Sequence, residues 1–284
     1  MQVDFCGVRG SAPAPGAAYV RYGGHTSCLA LTHQHGGAPT LILDAGAGLQ
    51  LASDLLQGSP FIGTILLSHL HWDHVLGLPF FKAGDRADAR TTVWLPEQET
   101  GENAVTVLAG MMTPPYFPIG PTELEGDWAF AEIAPGEREI EGFDVLALEI
   151  PHKGGRTFGY RVSDGASTLT YMPDHCPTAL GPGEDGFGAY HPAAIELARD
   201  ADVLVHDAQL LGEELASEAR FGHAAAEYAV ELGRRANVRE VVLFHHRQDR
   251  TDQQLDELAE RFRGDTPKVT VAREGATLDL SFTS

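Results

Sequence analysis

The stretch SHLHWDH, residues 68–74, sets three histidines and an aspartate within six positions, directly after the apolar run Thr64-Ile65-Leu66-Leu67. A strand buried on both faces reads as such a run, so the cluster stands where a strand leaves its sheet. In a chain with 13 histidines among 284 residues, an HxHxDH pattern arises by chance in only about two chains per thousand. Along an extended exit His69 and His71 share one side by period two. The turn before the next helix sends Asp73 and His74 elsewhere, a layout that can feed two adjacent metals. Imidazole nitrogen and carboxylate oxygen without thiolate suit zinc, manganese or iron.

The same placement recurs downstream. Strand signals at 145–150, 169–172, 203–205 and 241–244 lead into Pro151-His152, Pro173-Asp174, His206-Asp207 and His245-His246. Strand ends of α/β folds are where a rigid scaffold converges side chains on one point. The first segment predicts a β-meander over 2–6, 27–32 and 40–43, broken by GVRGSAPAPG and closed by DAGAG. A helix over 47–57, a strand over 62–68 and a helix starting over 75–81 follow, then a strand over 91–95 and a helix over 99–111. The second half predicts strands over 143–150, 157–162 and 167–172. A helix over 192–200, a strand over 203–205, a helix over 224–236, a strand over 240–244 and a helix over 252–263 complete it. Strands first, then strand and helix alternating, imply an α/β chain with two sheets sandwiched between helical layers. The whole of 1–284 reads as one domain without internal sequence repeat. The segment at about 82–121 reads as an insertion, because the adjacent Pro114 and Pro115 in MMTPPYFPIG forbid regular helix. Its Met111, Met112, Tyr116 and Phe117 offer an apolar wall or lid over a site, or a dimer contact.

Lys plus Arg number 20 against 40 Asp plus Glu, a formal charge of -20. Such a chain repels long polyanions unless a basic patch or metal cluster compensates, so no long nucleic acid is expected as partner. Cys6, Cys28 and Cys176 are widely spaced and form no CxxC, which is the pattern of reduced structural thiols. Neither a basic, apolar leader nor a run of about 18 apolar residues is present; the expectation is a cytoplasmic protein with no membrane partner.

HLHWDH, followed in order by His152, Asp174 and His245, resembles the metallo-β-lactamase superfamily, and within it the branch of ribonuclease Z and the small cyclic phosphodiesterases. The resemblance spans roughly residues 2–250 and implies a four-layer αββα sandwich. It implies that His69, His71 and His152 hold one divalent metal, that Asp73, His74 and His245 hold a second, and that Asp174 bridges them, with zinc favoured and manganese or iron as alternatives. LDAGAG at 43–48 resembles the family's strand-end aspartate motif, which makes Asp44 an orienting residue behind the ligands. FGYRV after His152 and VLVHDA at 203–208 resemble further motifs of this branch. His223, in FGHAAAEYAVEL, resembles the histidine that lies near the scissile phosphate in ribonuclease Z, with His206 or Asp207 as its orienting partner. Pro173 stands where many relatives carry Gly. His175 and His246 adjoin two ligands and are alternative ligands or substrate contacts. His25 stands where similar sequences carry Asn and is either a loop residue or part of the site lining; Arg9, Lys153 and Arg156 are phosphate contacts or salt-bridge partners.

The resemblance implies a metal-dependent hydrolase in which a hydroxide formed at the two metals attacks the substrate and His223 protonates the leaving oxygen. In ribonuclease Z a long arm that grips tRNA typically lies between the matches of His152 and Asp174; here 21 residues intervene, too few for it. With the negative charge this points to a small phosphodiester, such as a cyclic nucleotide or cyclic ribosyl phosphate; the apolar insertion and the resemblance to enzymes that are often dimers imply a homodimer. The alternative is a lactonase or other carboxylic ester or thioester hydrolase. A flavin-dependent diiron reductase would carry Glu in place of His71.

Overall fold

The computed structural model describes residues 1–33 and 37–280. β1 (Gln2–Gly7), β2 (Cys28–Thr32) and β3 (Leu41–Leu43) form the expected antiparallel meander, and β4 (Ile62–Leu66), β5 (Arg90–Pro96) and β6 (Asp127–Ile133) extend it in parallel. A late strand, β14 (Thr277–Asp279), pairs with β1 and closes a seven-stranded sheet in the order β14-β1-β2-β3-β4-β5-β6.

The second sheet repeats this plan. β7 (Gly136–Ile140), β8 (Phe143–Glu149), β9 (Phe158–Ser163) and β10 (Thr168–Met172) are antiparallel. β11 (Val203–Asp207), β12 (Glu240–Phe244) and β13 (Lys268–Val271) then continue in parallel, in the order β13-β12-β11-β10-β9-β8-β7. Two sheets of like plan thus arise without a sequence repeat.

β12 shows why the layers stack. Val242 and Phe244 join the core between the sheets, where Phe5, Leu29, Leu43, Phe158, Tyr171 and Val205 also meet. Val241 and Leu243, one residue out of phase, point the other way, into a cluster with the outer helices α4 (Pro192–Ala198), α6 (Ala226–Arg235) and α7 (Asp252–Arg261). On the first sheet Ile42, Ile65 and Val93 face α1 (Leu49–Leu55) and α3 (Ala104–Ala109) in the same manner. Each buried side chain of this size contributes about 1.5–3 kcal/mol, and burial on both faces is what makes these strands read as unbroken apolar runs. The architecture is the four-layer αββα sandwich. Helix ends obey local chemistry: Thr251 caps α7 by accepting from the Gln254 N–H, and Asn103 caps α3 by accepting from the Thr106 N–H.

Three expectations change. Within 82–121, residues 90–96 are β5, an internal strand between β4 and β6, so only 82–89 and the segment beyond Pro96 stand outside the sheet. The helix expected over 99–111 shrinks to α3, since Gly101 at φ 69° and the Asn103 cap delay its start. The helix expected from 75 begins earlier, as α2 (Trp72–Val75), which carries Asp73 and His74 of the motif itself. A further short helix, α5 (Leu215–Glu218), lies ahead of His223. No helix among the described residues is long and apolar enough to cross a membrane.

Candidate metal centre

Both sheets turn the C-terminal ends of their parallel strands to one place. Beyond β4 the chain is pinned before it reaches the ligands: Phe158 N–H donates to the Ser68 carbonyl at 2.8 Å and Tyr160 Oη–H donates to the Leu67 carbonyl at 2.7 Å. His69 is buried at that exit, His71 is the N-cap of α2, and Asp73 and His74 lie within its single turn. From the other sheet come His152 after β8, Asp174 after β10 and His245 after β12. His245 sits at φ 58°, a left-handed conformation that a non-glycine residue keeps only where its surroundings impose it.

Ligand atoms of His69, His71, His152 and Asp174 lie within 4.8 Å of one another, as do those of Asp73, His74 and His245, and those of Asp174, His223 and His245. Asp174 joins the groups. Its Oδ1 is 3.3 Å from His152 Nε2, and its Oδ2 is 2.8 Å from His74 Nε2 and 3.1 Å from His245 Nε2. Asp73 Oδ2 stands 3.1 Å from His245 Nε2. All seven residues expected as ligands are therefore brought together.

The groups behind them dictate which nitrogens carry protons. His74 Nδ1 meets Asp44 Oδ2 at 2.7 Å and must be the donor; His152 Nδ1 likewise donates to the Gly222 carbonyl at 2.8 Å. Ser68 Oγ donates to Asp44 Oδ2 at 2.9 Å and so accepts from His69 Nδ1 at 3.0 Å. His69 Nε2 is thus a bare lone pair, buried with no hydrogen-bond partner, and His152 Nε2 is turned inward in the same way, while His74 Nε2 faces Asp174 Oδ2 at 2.8 Å. Converging lone pairs with carboxylates between them are a poor protein interior and a good cation site, so the residues fit divalent metal. Asp44, fully buried at φ 61°, also accepts from the Ser68 N–H and from Tyr171 Oη.

Electrostatics follow the same division. Burial, aided by neighbouring histidines, holds His69 well below its ordinary value, and burial lowers His71 and His152, so they stand neutral and ready to ligate. Asp73 and Asp174 are held well below the carboxylate range, against the effect of burial, by the imidazoles around them.

His223 lies over this group, its Nδ1 3.2 Å from Asp207 Oδ2 and 3.4 Å from Asp174 Oδ1. Asp207 is fully buried and also accepts the backbone N–H groups of His175, Gln209 and Ala224. Burial would lower His223, but Asp207 prevails and raises it to about 9. His206 has no such part, which corrects one of the two orienting partners expected. As a strand residue next to Asp207 it points to the opposite face, where its Nδ1 donates to the Asp207 carbonyl and its Nε2 faces His175 Nδ1 at 3.0 Å.

Other candidates separate by the same test. His175 faces His206 and Tyr228, and His246 is turned to the Ala272 carbonyl, with burial pushing it down to about 3; neither joins a ligand group. His25 pairs with Glu274 at 3.0 Å as a loop residue. Arg9 is fully buried on the carbonyls of Gly23 and Arg250, Arg156 pairs with Glu149, and Lys153 donates to the Arg220 carbonyl. Met112 is buried and Met111 packs against the first sheet's helical side, while Tyr116 is 79% exposed. Two neighbours of the candidate ligands were missed: Tyr171, concealed in an apolar strand, and Ser11, which makes its contact through its backbone.

A family model described as "Beta-lactamase superfamily domain" matches residues 40–246. The chain belongs to the beta-lactamase superfamily. As a member of this superfamily, with the metallo-β-lactamase fold, it is a metal-dependent hydrolase. Ribonuclease Z of Gemmatimonas aurantiaca is 23% identical over 90% of this chain and 91% of its own. The metallo-beta-lactamase fold protein YhfI of Bacillus subtilis superposes with a TM-score of 0.69 at 18% identity, covering 98% of this chain and 99% of its own. Zn(2+)-bound PqqB of Methylobacterium extorquens gives 0.69 at 18% identity, over 99% and 100%.

Proposed function

We propose that this superfamily member is a dinuclear phosphodiesterase for small phosphodiesters, such as a cyclic nucleotide or cyclic ribosyl phosphate. The observation that carries the reading is the Asp207–His223 pair beside Asp174. A carbonyl ester hydrolase has no need of a buried imidazolium at that place, whereas a phosphodiester needs a proton for its departing alkoxide. The named function of the Gemmatimonas relative, ribonuclease Z, supports phosphodiester chemistry.

His69, His71 and His152 would hold one ion, Asp73, His74 and His245 the other, with Asp174 shared, and zinc is the ion named in a structural relative. Two such ions supply positive charge for the phosphate oxygens and lower the pKa of bound water towards neutrality. Asp44, Ser68 and the Gly222 carbonyl keep the ligating rings in one tautomer. Asp207 fixes His223 Nδ1–H, which leaves Nε2 to present its proton to the leaving oxygen. Only β9 and β10 occupy the 21 residues between His152 and Asp174, and the net charge of -20 disfavours long polyanions.

The test is hydrolysis of bis(p-nitrophenyl) phosphate and a nucleoside 2′,3′-cyclic phosphate beside a lactone and thioester panel, with metal content measured on the same preparation. Two metals per chain with phosphodiester turnover support the reading. Turnover of the carbonyl panel alone would replace it.

A further inference from the structure

The corner Gly10-Ser11 belongs to no ligand group, yet it touches two proposed ligands. Ser11 N–H donates to Asp73 Oδ2 at 2.7 Å. Ser11 holds φ 65°, which costs a non-glycine residue about 1 kcal/mol or more and persists only where neighbours impose it. Those neighbours are visible. Gly10 N–H donates to the His246 carbonyl at 2.9 Å, Ala12 N–H donates to the Gly10 carbonyl at 2.8 Å, and Ser11 Oγ–H donates to Gln209 Oε1 at 3.4 Å.

Gly10 is there because nothing larger fits. A Cβ on it would lie 2.3 Å from both Cε1 and Nδ1 of His245 and 2.6 Å from Gln209 Oε1. The backbone therefore lies against the edge of the His245 ring. On the other side of that ring, Nε2 faces Asp73, Asp174 and His74.

Protons make the contact consequential. His74 gives its Nδ1–H to Asp44, so in a metal-loaded centre the Nε2 atoms of His74 and His245 are lone pairs and neither can donate to Asp73. Ser11 N–H is then the hydrogen bond that keeps the Asp73 carboxylate from rotating. His245 Nδ1 is buried with no partner; it is the face packed against Gly10, with Gln209 across the gap. Gln209 N–H also donates to Asp207 Oδ1 at 3.0 Å, which ties this corner to the residue that orients His223.

We propose that Gly10, Ser11 and Gln209 form a clamp that sets the Asp73 carboxylate and the His245 ring for the second of the two metal ions. Ser11 acts through its amide, Gly10 through the room it leaves, and Gln209 by holding Ser11 from behind. All three are positioning residues. The proposal rests on the assignment of Asp73 and His245 as metal ligands.

The experiment is calorimetric titration of Zn²⁺ into metal-free wild type, Gly10→Ala, Ser11→Val and Ser11→Gly, with thermal unfolding of each metal-free protein as the check on folding. Wild type binds two ions. Gly10→Ala drives a methyl group into His245, and Ser11→Val disfavours the left-handed backbone; each weakens one site about 10- to 100-fold, the usual effect of losing a ligand-orienting partner, and spares the other. Ser11→Gly keeps both the amide and the conformation and retains two sites. Where Gly10→Ala fails to fold, Ser11→Val against Ser11→Gly decides, since both leave Gly10, the residue against the His245 ring, unchanged. Unchanged affinities in folded Ser11→Val, or equal weakening of both sites, overturn the clamp. A wild type with fewer than two sites overturns instead the ligand assignment beneath it.

Discussion

The first sheet delivers His69, His71, Asp73 and His74 from one six-residue stretch, whereas the second delivers His152, Asp174, His223 and His245 from four separate chain crossings. The first set is fixed by local geometry, a strand exit and one helical turn, with Asp44 tying Ser68 and His74 together from behind. The second set is held by bonds between separate segments, His152 to the Gly222 carbonyl and His223 to Asp207. Its spacing is the spacing of β8, β10 and β12 across a sheet, so it exists only once strand register and packing are complete. One half of the centre is thus built by sequence proximity and the other by tertiary order, and loss of a residue should tell differently in each.

The largest effect belongs to Asp174, whose carboxylate oxygens reach His152 on one side and His74 and His245 on the other. Asp174→Ala should lose phosphodiester turnover by more than about 100-fold and lose metal as well, read by mass spectrometry of bound metal beside a rate assay. His223→Ala comes next. Its turnover should fall about 10²- to 10⁴-fold, the usual contribution of a general acid, with metal content as in wild type; a His223→Ala protein that loses metal would make that residue a ligand. Asp44→Asn strikes the local half, turning an acceptor of several hydrogen bonds into a group that cannot accept them all. Metal affinity should drop about 10- to 100-fold in a competition titration with a chelator.

Tyr171→Phe tests the seam between the halves, since Tyr171 of β10 donates to Asp44 from the opposite sheet at 2.8 Å. Losing a hydrogen bond to a charged acceptor costs about 1.5–3 kcal/mol, visible as a lower urea midpoint with the same slope. The smallest effect concerns His25, away from the centre. Its hydrogen bond to Glu274 holds His25 above its ordinary value of 6.5. Glu274, against burial, is held below its ordinary 4.5. The histidine's share of the stability is full below pH 6.5 and fades as pH rises through its folded value; the glutamate's is full above pH 4.5 and fades as pH falls through its own. His25→Asn should therefore cost most between those limits. With the His25 side chain 38% exposed, the cost stays under about 1 kcal/mol, measured as the difference in unfolding free energy against pH.

How legible each part was follows from the same contrast. β10, β11 and β12 were legible because strands buried on both faces read as apolar runs, and β8 because buried and more exposed positions alternate along FDVLALE. β6, β7, β13 and β14 were not expected: DWAFAEI and GEREI alternate with charged or exposed residues at sheet margins, and such strands carry no unbroken apolar signal. β5 was recognised as a strand and then misplaced in an insertion, since a sequence does not state which strands are neighbours.

The sequence by itself determined the α/β class, the family, and a candidate ligand set written as polar residues at strand ends, because buried strands and clustered histidines and aspartates leave composition signals that survive without a fold. Only tertiary structure decided between equivalents. His206 and Asp207 are adjacent in sequence but lie on opposite faces of one strand, and only the packing of that strand shows which face holds His223. His245 and His246 part in the same way, one among the ligands and one on the Ala272 carbonyl. The amide of Ser11 was beyond sequence altogether, because a backbone N–H has no letter of its own and acquires a function only where the chain brings it to Asp73.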